Sequence, residues 1–127
     1  MADDVIELAN RAFAAARDGR ADELTALIDD GVPVNLCTDT GDTLTMLAAY
    51  HGHLAAVRAL VALGADPNRA NTKGQTPIAG AVFKAADEVV DALLDAGADP
   101  FAGQPSAVDT ARMFGREELL AKFERRG

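Results

Sequence analysis

Residues 41–68 read GDTLTMLAAYHGHLAAVRALVALGADPN, and residues 74–100 read GQTPIAGAVFKAADEVVDALLDAGADP. Laid over one another they align without a gap at a spacing of 33: Gly41 on Gly74, Thr43 on Thr76, and Gly64-Ala65-Asp66-Pro67 on Gly97-Ala98-Asp99-Pro100. A fixed period of this length marks stacked repeats, in which each unit buries its apolar face only against its neighbours. The same ruler runs outward. Gly19 precedes Gly52 by 33, and Gly31 and Asn35 match Gly64 and Asn68. On the other side Gly115 follows Gly52 by 63, so the connection into SAVDTARMFGREELLAKF is three residues short. Four units result, approximately 1–37, 38–70, 71–103 and 104–127, in a single domain over 1–127, with the outer two diverged.

Each unit carries the same physical grammar. Thr43, Thr76 and Ser106 are placed to cap a short first helix, and Pro77 sits at a first helical position, where its missing N–H does no harm. A turn at Gly19, Gly52 or Gly115 leads to a second helix. That helix often opens on acids (Asp22-Glu23, Asp87-Glu88, Glu117-Glu118), favourable at the positive end of a helix dipole. Leu54, Val57, Leu60 and Val61, and then Val89, Ala92, Leu93 and Leu94, have the apolar spacing of packed helices. Gly64 and Gly97 end the helix in a left-handed conformation, and Asp-Pro-Asn then reads as a turn.

Thr-Pro-Ile-Ala at 76–79, Leu-Ala-Ala at 47–49, Gly-His-Leu at 52–54 and Gly-Ala-Asp-Pro-Asn at 64–68 resemble the ankyrin repeat. The resemblance covers nearly the whole chain, most strongly residues 38–100. It implies an all-α solenoid of four helix-turn-helix units joined by short β-turn or hairpin-like loops, with the outer units acting as caps. Two departures stand out. The histidine that closes the family's Thr-Pro-Leu-His motif is replaced by Phe13, Met46, Ala79 and Asp109. Ala85 stands where a glycine normally makes the interhelical turn, at a cost of about 1 kcal/mol if φ is positive there.

The chain is about half apolar, enough for one core. Twelve Lys and Arg against 20 Asp and Glu give a net charge of −8, which disfavours a nucleic-acid partner. Both ends are acidic and the stretch 41–80 is nearly neutral, as suits an array with polar terminal units. The single Cys37 and an N-terminus rich in acids point to the cytoplasm, and no apolar run is long enough for a membrane span.

The histidines His51 and His53 are the only two in the chain and do not recur in the other units. A zinc site would need further ligands, and Asp39, Asp42 and distant Cys37 are the only candidates nearby, so no metal and no cofactor are expected. The resemblance makes His53 the interhelical-turn histidine. Cys37 aligns with Ala70 and reads as a small, buried or half-buried residue rather than a nucleophile, since no orienting group or oxyanion site accompanies it. No catalytic residue is assigned. Asp91, Asp95 and Asp99 lack the order of a calcium loop and read as a solvated helix face and a repeat turn.

The resemblance places partner binding on a concave face made of loop tips and the last turn of each first helix. There the two residues before each turn glycine are Arg17-Asp18, Tyr50-His51, Phe83-Lys84 and Met113-Phe114. Tyr50, Phe83 and Phe114 are half of the six aromatics. These residues would form a Tyr50/Phe83/Met113 stripe across the groove, rimmed by Asp39, Thr40, Asp42, Thr72, Lys73 and Gln75. The opposing reading is local packing, with Met113 and Phe114 closing the C-terminal end. The expected function is a non-enzymatic module that binds another protein, as a monomer. The acid excess favours a partner with basic patches. Two alternatives remain: a small-molecule or enzymatic site around Tyr50, His51 and Lys84, and a homodimer that buries the stripe.

Overall fold

The computed structural model describes residues 2–126, and their side chains from Val5 to Arg125; Met1, Gly127 and the Arg126 side chain, which the sequence assigns to the polar ends, lie outside the described residues. Eight helices follow one another: α1 (Ala2–Asp18), α2 (Ala21–Asp29), α3 (Leu44–Tyr50), α4 (Leu54–Ala62), α5 (Pro77–Phe83), α6 (Asp87–Asp95), α7 (Ala107–Met113) and α8 (Glu117–Arg126). They pair as α1–α2, α3–α4, α5–α6 and α7–α8. The first helices stack in one row, α1 on α3, α3 on α5, α5 on α7, and α2, α4 and α6 stack in a second. Among the described residues there are no strands; the hairpin-like loops reduce to two isolated antiparallel bridges, Cys37 to Thr43 and Gly103 to Ser106.

The caps explain where the helices begin. Thr43 Oγ1 accepts from the Met46 N–H at 3.0 Å, Thr76 Oγ1 from Ala79 at 3.3 Å and Ser106 Oγ from Asp109 at 3.0 Å. Each satisfies one amide that the helix itself cannot. Buried alanines on the first helices, among them Ala12, Ala15, Ala48, Ala49, Ala81 and Ala111, let the rows approach closely. Larger side chains, Leu24, Val57, Leu60, Ile78, Val90 and Leu93, fill the space between them in one continuous cluster. Leu119 and Phe123, both buried, close the C-terminal unit. Met113 and Phe114 are therefore not needed for that closure and stay exposed. Cys37 departs from the buried or half-buried reading: it is exposed, in the loop that bridges to Thr43.

Two kinds of seam hold unit to unit. In the connecting turns, Asn35 Oδ1 accepts from the Asp66 N–H at 2.9 Å and Asn68 Oδ1 from the Asp99 N–H at 2.7 Å, while Asn68 Nδ2 donates to the Gly97 carbonyl at 3.2 Å. Phe101 occupies the corresponding place in the third unit. There the shortened connection is tied by backbone instead, Val108 N–H to Pro100 O at 3.0 Å and Gln104 N–H to Gly74 O at 2.9 Å. At the interhelical turns, His53 donates through Nε2 to the Arg17 carbonyl at 2.7 Å. Its ring lies so close that a Cβ on Gly19, whose φ is +77°, would come within 2.6 Å of it. At the last turn Arg116 takes the histidine's place and reaches Asp87 at 2.7 Å and Glu118 at 2.8 Å.

Candidate functional site

The last turn of each first helix brings a large side chain to one open edge. Tyr50 and Phe83 stack nearly parallel, 10° apart with centroids at 6.4 Å, and Phe114 meets Phe83 edge-on at 5.7 Å. Both separations lie in the attractive range for aromatic pairs. The rings stay accessible nonetheless, with Phe83 54% exposed.

The contacts run diagonally. Phe114, the residue immediately before the turn glycine of unit four, covers Phe83, which stands two before the turn in unit three. Lys84 repeats the move one unit earlier, its Nζ 4.9 Å above the Tyr50 ring. A side chain of one unit thus reaches back over the ring of the unit before. The row is Tyr50–Phe83–Phe114 rather than the expected Tyr50/Phe83/Met113. Met113 is 69% exposed. His51 sits edge-on to Tyr50 at 5.5 Å and faces His53 at 6.3 Å.

A model for ankyrin repeats in three copies matches residues 12–103. The chain belongs to the ankyrin-repeat family. It is 44% identical over 52 residues to a putative ankyrin repeat protein of Pseudomonas aeruginosa, covering 41% of this chain and 30% of that one. It is 50% identical over 62 residues to human ankyrin repeat domain-containing protein 29, covering 48% and 21% respectively. A putative ankyrin repeat-containing protein of Treponema pallidum is 35% identical over 88 residues, which is 68% of this chain and 30% of that protein. The chain spans no more than 30% of the length of these relatives. Ankyrin repeats are in general protein–protein interaction modules.

In this ankyrin domain the loop-tip residues divide into two kinds. Asp42 is half-buried and accepts from Thr40 Oγ1 at 3.1 Å and from Asn71 Nδ2 at 2.8 Å. Thr72 donates twice to the Thr40 carbonyl, from N–H at 2.9 Å and Oγ1 at 3.0 Å. Gln75 Oε1 accepts from Asn71 at 2.7 Å. Asp42 and Thr72 thus join one ankyrin loop to the next, while Gln75 braces Asn71 within its own loop. Asp39 and Lys73 project from the same loops as exposed side chains. Sequence reasoning passed over a cavity behind the stripe, because its walls come from three successive units. It holds about 150 Å³ between Met46, Tyr50, Ala79, Gly80, Phe83 and Thr110, with Gln75 and Pro105 at its edge. It also passed over Phe101, 53% exposed, although the spacing of 33 from Asn68 identifies it as a break in the asparagine seam. Among the described residues no helix is long and apolar enough to cross a membrane.

Proposed function

We propose that this chain is a non-enzymatic, cytoplasmic interaction module that binds part of another protein along the edge formed by Tyr50, Phe83, Phe114 and Met113. His51 and Lys84 flank that edge; Asp39, Asp42, Thr72, Lys73 and Gln75 form its polar rim. One observation carries the reading: three rings from successive units stack into a continuous row while remaining open to solvent. Local packing alone would sink them among the helices. An exposed apolar row with a polar rim is the composition of a protein-binding hot spot.

The small-molecule alternative around Tyr50, His51 and Lys84 is less well supported. The cavity next to it, about 150 Å³, falls below the roughly 300–1,000 Å³ usual for ligand pockets.

The test is a pull-down from native lysate with the wild-type chain beside a Tyr50→Ala/Phe83→Ala double variant, both confirmed folded by circular dichroism. A protein retained by the first and lost by the second supports the reading. Equal retention by both, or by neither, overturns it. Light scattering on the eluted wild-type chain then distinguishes a monomer from a homodimer that hides the row.

A further inference from the structure

The cavity beside Gly80 identifies the kind of partner segment the row accepts; this rests on the protein-binding reading. A space of about 150 Å³, lined mainly by apolar groups with Gln75 and Thr110 as its polar members, accommodates a benzene-sized body, which is one large side chain and not a metabolite. In its wall unit three has glycine where units two and four carry Leu47 and Thr110. A Cβ on Gly80 would stand 3.2 Å from Met46 Cε and 3.6 Å from Tyr50 Cδ1. Ala79, where unit two has Met46, leaves the same wall thin.

The charges around this opening differ from those of the chain as a whole. Helices α2 and α6 carry seven acids and no base, whereas α3 and α5 carry neither. The excess of 20 acids over 12 bases therefore lies heavily on the row of second helices and does not describe the stripe. Beside the cavity stands Lys84, on the face of Tyr50. Among the described residues no carboxylate comes within 4.0 Å of its Nζ, although Arg20, Arg116 and Lys122 each have one. Arg112 is held only loosely, 3.9 Å from Asp109.

We infer that the Gly80 cavity seats one leucine-, methionine- or phenylalanine-sized side chain of a partner segment, and that a carboxylate carried within a residue or two of it pairs with Lys84. The partner is thus a locally acidic segment with a single apolar anchor, complementary to the stripe rather than to the molecule's net charge.

The probe is a displayed library of random short peptides, panned in parallel on the full chain and on Lys84→Glu. The wild-type chain is expected to enrich peptides with one large apolar residue next to Asp or Glu, and Lys84→Glu to exchange those acids for Lys or Arg at the same place. A selected peptide should shift the ¹³C-methyl resonance of Met46, which walls the cavity. Gly80→Ala and Ala79→Met, which narrow the cavity without unfolding the helix, should each weaken it by about fivefold or more. Enrichment without the charge exchange, or binding indifferent to both cavity variants, overturns the inference. Failure to enrich any peptide overturns it too. If the selected peptides ignore Gly80→Ala and Ala79→Met yet are lost on Tyr50→Ala/Phe83→Ala, the stripe remains a binding surface and only the cavity assignment falls. If they ignore all of these variants, both readings fall.

Discussion

Ala85 holds a φ of +57°, while its counterparts in the other units are Gly19, Gly52 and Gly115, all with positive φ. The turn shape is therefore kept and the alanine is strained in it, since Cβ crowds the carbonyl in the left-handed region. Ala85→Gly is expected to raise the unfolding free energy by about 1 kcal/mol, read as a higher urea midpoint in circular dichroism. An unchanged or lower midpoint would show that the turn relaxes around the methyl. Thr45 offers a second case. Its Oγ1 is buried without a hydrogen-bond partner, and the same place in units three and four is held by Ile78 and Val108. Thr45→Val keeps the shape and removes an unpaired hydroxyl, so a gain of about 1–2 kcal/mol in the same titration is expected. A loss would mean that the hydroxyl is satisfied by water.

At the scale of one element, α8 shows how an end unit is held. Leu119 and Phe123 bury its apolar side, and two ion pairs tie it back to α6: Arg116 to Asp87 at 2.7 Å and Lys122 to Asp91 at 2.6 Å. The Glu118 carboxyl is held below its ordinary value, first by a backbone amide at the helix start and then by the Arg116 guanidinium. A carboxyl with a lowered native pKa contributes stability above its ordinary value of 4.5, and loses it as the pH falls through the native value. Arg116→Ala should therefore speed amide exchange in α8 at neutral pH, with α3 to α5 little affected and the difference shrinking in acid. A change spread evenly over all helices would show that the array unfolds as one cooperative body. Glu118 is well exposed and Arg116 partly so, so the effect belongs to local opening of the end and not to global stability.

For the whole molecule, the period of 33 made the architecture legible, because units two to four reuse a capping threonine or serine, all but unit three reuse the turn glycine, and the apolar positions recur. The stripe was half legible. The register placed Tyr50 and Phe83 on one edge but put Met113 where Phe114 completes the row, because reach across a seam depends on the offset between units and not on position within one. The Gly80 cavity was invisible for a different reason: its walls come from three successive units. Asp42 and Thr72 read as rim by position alone, while their hydrogen bonds across the loops appear only once the loops are stacked.

The diagonal contacts of Lys84 on Tyr50 and Phe114 on Phe83 also determine how such a surface changes over evolutionary time. On the proposed binding edge each element is spelled by two neighbouring units, so the surface reads as an overlapping code and not as separate letters. Duplicating, deleting or exchanging one unit rewrites two adjoining elements together. A new specificity in this array is therefore expected to arise by paired substitutions across a seam, and a unit transplanted alone brings only half of its meaning with it.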